Sequence, residues 1–295
     1  MKEAIRKASV LIEALPYIHR FHDQIVVIKF GGSAMDVGGD LDNVLLSVVF
    51  MSMVGMRPVL VHGGGPMISQ AMRDRGKQPV FVHGRRVTDD DTLAIVEEVL
   101  IGKVNAALVE AIRNLDGKAV GVHNRNATYL HAEQLTFTDD EGQPYNLGHV
   151  GGVVGVDAPS IREILSQGAV PVIEPLGTSS SGQLMNVNAD AAAGTVAAKL
   201  RARKIVFLTN VHGIMTRPDD PESLASTLTE RQVQELIAAG VIAGGMLPKV
   251  AACIEALDAG VNKAHIIDGQ LPHSLLLEIF TDQGVGTQIL KNEKR

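Results

Sequence analysis

A single cysteine, Cys253, is all the thiol chemistry in this chain of 295 residues. No disulfide can form within the chain, so a cytoplasmic setting is expected. Cys253 sits in the apolar run from Val250 to Leu257 and reads as a small buried hydrophobe. Long hydrophobic runs are missing too: nowhere do eighteen apolar residues follow one another, which excludes an ordinary membrane-spanning helix. Positive charge is in short supply. Lys and Arg number 27 against 33 Asp and Glu, a net charge of −6, so neither nucleic acid nor a membrane surface is an expected partner. The first residues lack a signal-peptide core with its cleavage site, and Glu3 and Glu13 speak against a transit peptide.

Several catalytic signatures are absent as well. The chain has no Gly-x-x-x-x-Gly-Lys-[Ser/Thr] phosphate loop, no Gly-x-Gly-x-x-Gly after a strand and no Gly-x-Ser-x-Gly elbow. Its ten histidines form no zinc-ligand spacing, and no protein metal ligand is nominated. His62 and His83 each follow a β-type run and are expected to be hydrogen-bonded structural residues.

What the chain does have is glycine in two particular places. Lys29-Phe30-Gly31-Gly32-Ser33 follows the β-type run Ile25–Ile28, and His62-Gly63-Gly64-Gly65-Pro66 follows Pro58–Val61. Each elbow leads into an apolar-periodic helix. Glycine lets backbone N–H groups approach an anion closely, and the following helix points its positive end there. Two such cradles, one with a lysine at its mouth, suggest a site for two negatively charged molecules. Either elbow taken alone could be a plain tight turn.

A hydrophobic share of 45% supports a large core in one two-lobed unit or two domains. Ile5, Ala8, Ile12 and Leu15 recur at helical spacing, predicting an amphipathic N-terminal helix that ends near Pro16 and packs on its own domain or on another subunit. Strands are predicted at Gln24–Phe30, Arg57–Val61, Lys118–Val122, Ala169–Ile173, Lys204–Thr209 and Lys263–Ile267. Helices are predicted at Asp40–Gly55, after Pro66, from the Thr88–Asp91 cap to about Leu115, from Asp157 to Gly168, and at Ala189–Arg201. Further helices are expected at Thr229–Ala239, Leu247–Ala259 and His273–Thr281, the last completing the chain. Near-continuous Val/Ile strands alternating with helices argue for a mainly parallel sheet covered on both faces. Between His123 and Gly155 the pattern changes to short polar alternation around Asp139-Asp140-Glu141-Gly142, read as one or two hairpins on the sheet rim. A lobe boundary is placed near residue 202.

Three more motifs combine with the elbows. Gly84-Arg85-Arg86-Val87-Thr88-Asp89 sets two arginines before a helix start, where one can grip a carboxylate bidentately, while Arg85 is expected to pair with Asp89–Asp91. Asn186-Val187-Asn188-Ala189-Asp190 carries more polar groups than one helix cap needs. Gly244-Gly245-Met246-Leu247-Pro248-Lys249 puts a lysine in a first helical turn, against the helix dipole unless a phosphate sits there.

Taken in order, these five segments resemble the amino acid kinase family over nearly the whole chain, from about residue 9 to 290. The match is to the branch that acts on N-acetyl-L-glutamate. The resemblance implies an α/β fold, a three-layer αβα sandwich with a mainly parallel central sheet and two lobes. It divides the chain into an N-terminal oligomerisation helix (1–20), an acyl-amino-acid lobe (21–202) and an ATP lobe (203–295). It implies that Lys29 contacts the transferring γ-phosphoryl group, that Lys249 approaches it from the nucleotide side, and that Asp190 orients both lysines. The Gly31-Gly32 and Gly63-Gly64-Gly65 backbones would supply N–H donors to phosphates and substrate, while Arg86 and Asn186 would hold the α-carboxylate and N-acetyl group. Thr209, Asn210, Gly213, Gly245 and Met246 would frame ATP. Asn210 stands where much of the family has Asp, so no charged role carries over there. Mg²⁺ would be held mainly by the nucleotide, and the 123–155 hairpins would cover the substrate.

Leu15-Pro16-Tyr17-Ile18, Ala264–Gly269, Leu276–Phe280 and Gly284–Thr287 are similar to the arginine-inhibited, hexameric branch of that family. By this resemblance Tyr17, Lys204, His265, Glu278 and Gly286 would contact arginine. A homo-oligomer, dimer or trimer of dimers, and a PII-type signal protein are the implied protein partners. The implied acceptor is a carboxylate with a reference pKa of about 4.3, already ionised at neutral pH. No general base is needed, and fixed positive charge and positioning carry the chemistry. Two other readings remain open on the residues alone: a kinase for aspartate, glutamate or carrier-bound aminoadipate, and a catalytically silent regulatory homologue.

Overall fold

The computed structural model describes residues 1–31, 40–82, 84–125, 127–138, 144–217, 220–281 and 284–292. Gly32, His83 and the turn expected at 139–142 lie outside the described residues.

The chain opens with helix α1 (Lys2–Phe21), strand β1 (Ile25–Phe30), α2 (Asp40–Met53), β2 (Arg57–His62) and α3 (Gly65–Asp74). A short ribbon, β3 (Phe81–Val82) with β4 (Arg85–Arg86), leads to α4 (Asp90–Glu97), a π-helical stretch Glu98–Asn105, and α5 (Ala106–Asn114). Then come β5 (Ala119–Val122), β6 (Leu130–Gln134), the ribbon β7 (Phe137–Thr138) with β8 (Pro144–Tyr145), β9 (Val150–Val156) and α6 (Ala158–Ser166). Strands β10 (Val170–Ile173), β11 (Leu176–Thr178) and β12 (Leu184–Val187) precede α7 (Ala189–Leu200) and β13 (Lys204–Thr209). The chain closes with β14 (Thr227–Thr229), α8 (Glu230–Ala238), α9 (Leu247–Asp258), β15 (Lys263–Asp268), α10 (Ser274–Phe280) and β16 (Thr287–Leu290).

Eight strands form one sheet in the order β14-β16-β15-β13-β1-β2-β10-β5, parallel except where β16 runs against β15. Strand β1 lies between β2 and β13, with Phe30 level with His62 on one side and Leu208 on the other. The chain leaves β1 toward β2 and returns to its other edge as β13, so the crevice for ligands lies at these carboxyl ends. Both glycine elbows begin there.

Strand alternation sorts the core into two layers. Val26, Ile28, Phe30, Leu60, Val206 and Leu208 face the layer built with α2 and the α4–α5 helix. Val27, Val59, Val61, Ile205 and Phe207 face the layer built with α6, α7 and α9. Full burial of each such side chain contributes roughly 1.5–3 kcal/mol, so the register is strongly specified. By the same alternation Lys29 turns toward α7, and His62 toward the α4–α5 face.

Four elements depart from the sequence expectations. Helix α1 runs through Pro16 to Phe21 instead of ending near Pro16. Proline removes one helical hydrogen bond, but the turn beyond it is held tertiarily: Phe21 is buried, and the Tyr17 ring lies 6.3 Å from Phe280. A strand, β16, follows the last helix, so that helix does not complete the chain. The long helix after Asp89 is interrupted by the π-helical stretch. The region 123–155 is more than rim hairpins: β6 and β9 close a four-stranded barrel with β11 and β12.

Candidate functional site: two cationic ends of one cavity

Helices α7 and α9 lie side by side because Gly194 gives way to the backbone of Ala252; a Cβ there would stand 3.1 Å from that carbonyl oxygen. Their first turns therefore meet at the sheet's carboxyl edge. Asp190, in the first turn of α7, receives Lys29 Nζ on Oδ1 at 2.7 Å and Lys249 Nζ on Oδ2 at 3.0 Å. The dipole conflict noted for Lys249 is thus answered within the described residues by Asp190. Burial pushes the Asp190 carboxyl up, but the two lysines outweigh it and hold it below its ordinary value, ionised. Burial lowers the Lys29 pKa, aided by Lys249 and opposed by Asp190. The three side chains leave one net positive charge at the mouth of the first elbow.

A cavity of about 260 Å³ extends from this cluster and brings together Lys29, Gly64, Gly65, Arg86, Asn186 and Asp190. At its far end Arg86 is 7% exposed, donating to Gly65 O at 3.1 Å and Ser69 Oγ at 2.9 Å, with its guanidinium 4.6 Å from the Phe81 ring centroid. Burial, helped by Arg73, lowers its pKa to about 10, which leaves it charged at neutral pH. Among the described residues no carboxylate pairs with it. A buried, uncompensated guanidinium is costly, and an incoming carboxylate relieves that cost. Asn186, on β12, donates to Thr88 Oγ1 at 3.0 Å, while Asn188 caps α7 by accepting from the backbone N–H groups of Asp190 and Ala191. The polar surplus of that segment is divided: Asn188 for the helix, Asn186 and Asp190 for the cavity.

The barrel covers this end of the cavity through one tight junction. Gly148 has φ +78°, and a Cβ on it would stand 2.0 Å from Thr88 O. That approach lets Thr88 N–H donate to Leu147 O at 2.8 Å and His149 N–H to Thr88 O at 2.6 Å.

The residues expected on the nucleotide side are not in this cavity. Thr209 is buried at the end of β13, its hydroxyl donating to Val211 O at 2.8 Å; Asn210 and Gly245 are exposed and Met246 is half-buried. Gly31 is buried, with space for a Cβ limited by Leu208 O at 3.3 Å and Lys29 Nζ at 3.4 Å. Gly213 has φ +148° and is packed against Thr287 and Leu224, so its glycine answers a structural need.

A second cavity, about 630 Å³, opens at the opposite end of β13 and β15 and gathers Tyr17, Lys204, His265, Glu278 and Gly286. Glu278 accepts from His265 Nδ1 at 2.5 Å and from Val285 N–H at 2.8 Å. Burial lowers Lys204 to about 8, opposed by Glu278 and reinforced by Lys263, Arg20 and Arg203.

Some expectations need correction or extension. Arg85 does not pair with Asp89–Asp91; Lys77 takes Asp89 at 2.5 Å and Asp91 at 3.7 Å, and the Arg85 guanidinium stacks 5.7 Å from the Phe137 ring of the β7–β8 ribbon. A turn and a ribbon separate these groups in ways residue spacing does not reveal. Ser69 and Phe81, both contacting Arg86, were not singled out by sequence; an aromatic just before the Arg-Arg pair was the available signal. Asp89 caps α4 by accepting from Thr92 N–H at 2.9 Å, and Cys253 is fully buried, as expected.

The amino acid kinase family model matches residues 24–268. Acetylglutamate kinase of Halothermothrix orenii is 45% identical over 291 residues, 99% of each chain. Among solved structures, N-acetylglutamate synthase from Neisseria gonorrhoeae complexed with coenzyme A and N-acetyl-glutamate is 29% identical with a TM-score of 0.85, over 97% of this chain. The same synthase complexed with coenzyme A and L-arginine is 27% identical with a TM-score of 0.82 over 97% of this chain. This chain spans 64% and 65% of the length of those synthase chains.

Proposed function

The chain belongs to the amino acid kinase family, and we propose that it transfers the γ-phosphoryl group of ATP to the side-chain carboxylate of N-acetyl-L-glutamate in arginine synthesis. One observation carries this reading: a single small cavity joins a buried guanidinium lacking an acid partner among the described residues to Lys29 and to Asp190, the carboxylate that also holds Lys249. Arg86 takes the α-carboxylate, and Asn186 the N-acetyl group. The side-chain carboxylate then lies toward Lys29 and the glycine elbows. It arrives ionised, so the site must overcome repulsion between two anions rather than remove a proton. Lys29 neutralises the transferring group, Lys249 meets it from the nucleotide side, and Asp190 keeps both ammonium groups in place. Backbone N–H groups of Gly31 and Gly64 add donors.

Residues 21–202 would serve the acyl amino acid and 203–295 the nucleotide, with Thr209, Asn210, Gly245 and Met246 framing ATP. Asp190 already gives both oxygens to lysines, and no cluster of three or more metal-ligating side chains is found among the described residues. Mg²⁺ would be held through nucleotide oxygens and water, where it offsets phosphate charge.

The second cavity fits arginine: Glu278 offers a carboxylate for the guanidinium, and Lys204 an ammonium for the α-carboxylate. In this reading arginine is a feedback inhibitor. Helix α1 leaves Leu11 67% and Ile12 68% exposed, which suits packing on another subunit of a homo-oligomer. A hydroxamate assay with ATP and a panel of acids tests the reaction. Turnover should be greatest with N-acetyl-L-glutamate; a preference for aspartate, glutamate or a carrier-bound acid, or no turnover of any acid, would overturn it.

A further inference from the structure

The widened turn Glu98–Asn105 ends on a buried amide, that of Asn105. π-Turns inside helices recur at functional positions. Here the turn delivers Asn105 to the carboxyl edge of the sheet, between β2, β10 and β5. A Cβ on Gly121 of β5 would stand 2.5 Å from Asn105 Oδ1, so the amide lies directly on bare strand backbone. Asn105 Nδ2 is 2.8 Å from Val172 O and 3.1 Å from His62 Nε2.

These contacts determine which nitrogen of His62 carries the proton. Val172 O can only accept, so the amide group facing it is the NH₂. That NH₂ also faces His62 Nε2, which must accept. The ring proton therefore sits on Nδ1, and Nδ1–H donates to Gly63 O at 2.9 Å. Burial lowers the His62 pKa to about 4 and keeps the ring neutral near pH 7. Gly63 N–H, for its part, donates to Phe30 O at 2.9 Å, tying the second elbow to the first.

In a trans peptide the C=O and N–H point in opposite directions. With Gly63 O drawn toward His62, the N–H of Gly64 is turned the other way. Gly64 lines the cavity, and its N–H has no acceptor among the described residues. We propose that Asn105 is a positioning residue which, through His62, holds the Gly63–Gly64 peptide so that the Gly64 N–H donates to the carboxylate or phosphoryl oxygen at the reaction centre. The proposal rests on the kinase reading for what the donor meets, but the proton's location does not depend on it.

The test uses full-length protein with ¹⁵N-labelled histidines, the His62 signals being assigned by their loss in His62→Gln. The expected spectrum at about pH 7 is a neutral ring protonated on Nδ1; protonation on Nε2 would overturn the proposal. In Asn105→Ala the two tautomers should mix, and kcat/KM for N-acetyl-L-glutamate should fall at least about tenfold while KM for MgATP stays within about twofold. A folded Asn105→Ala with wild-type constants would refute the positioning role. If that variant does not fold, the wild-type spectrum decides. A wild-type enzyme inactive on N-acetyl-L-glutamate would sink the kinase reading instead, with the tautomer still measurable.

Discussion

Lys29 and Asp190 stand 2.7 Å apart because strand alternation turns Lys29 onto the sheet face that α7 covers, and α7 begins at that point. Lys249 takes the other carboxylate oxygen. Asp190→Asn would leave two ammonium groups facing each other across a neutral amide. We expect kcat to fall by about two orders of magnitude or more. Lys29→Ala should lower kcat comparably while the protein still folds, since Lys249 continues to neutralise Asp190. Steady-state kinetics with a thermal melt checks both; normal turnover by purified Lys29→Ala would refute the mechanism.

Arg86→Lys keeps the charge but loses the planar fork shared between Gly65 O, Ser69 and the Phe81 face. KM for N-acetyl-L-glutamate should rise about 10- to 100-fold, with KM for ATP nearly unchanged. Equal effects on both substrates would argue against an α-carboxylate contact.

Gly148→Ala puts a methyl group into the Thr88 carbonyl at a residue with φ +78°. Strain and clash together should cost about 2 kcal/mol or more. The barrel should also become more open to proteolysis within 123–155. Urea unfolding and limited proteolysis measure this, and unchanged values on both would show that the junction is not tight.

Burial holds the His62 pKa at about 4, below the ordinary 6.5. The unfolded chain therefore binds more protons than the folded one between those values, and stability falls as pH drops through that window. From this group alone, stability at about pH 5 should be roughly 2 kcal/mol lower than at about pH 7. Denaturation of wild type and His62→Gln at the two pH values, at one protein concentration, isolates the term. Identical pH slopes would contradict the buried neutral ring.

Glu278→Gln should weaken arginine inhibition at least about tenfold while leaving uninhibited kcat within about twofold, because the second cavity lies away from the lysine pair. Deleting residues 1–20 removes Tyr17, Arg20 and the exposed face of α1, and should both reduce the assembly to dimers and abolish inhibition. Sedimentation and inhibition curves report the two effects, and an intact, still inhibited hexamer would refute the role given to α1.

Local chemistry made much of this protein legible in one dimension. The Val/Ile runs, the two elbows, the Asp89 cap and the apolar helix faces depend on residues close in sequence, so strands, helices and the parallel sheet could be read directly. Four of the five motif segments also named residues that line the cavity, although not their spacing in space. What escaped was whatever is decided across the chain. Helix α1 passes Pro16 because Tyr17 packs near Phe280 and Phe21 is buried in the fold. Strand β16 exists because β15 offers it an edge, and β11 and β12 are strands because β6 and β9 need partners to close a barrel.

The sequence by itself determined which charges this protein carries to its site: two lysines, an aspartate and an arginine, each beside a glycine turn or a helix start. Only the tertiary structure decided their pairing. Lys29 and Lys249 are 220 positions apart, and one carboxylate joins them because α7 and α9 pack at the distance a glycine allows. Arg86 remains without an acid among the described residues; its guanidinium rests on Gly65 O, Ser69 Oγ and the Phe81 ring. Burial and packing, which no stretch of sequence contains, leave that guanidinium for a ligand to neutralise.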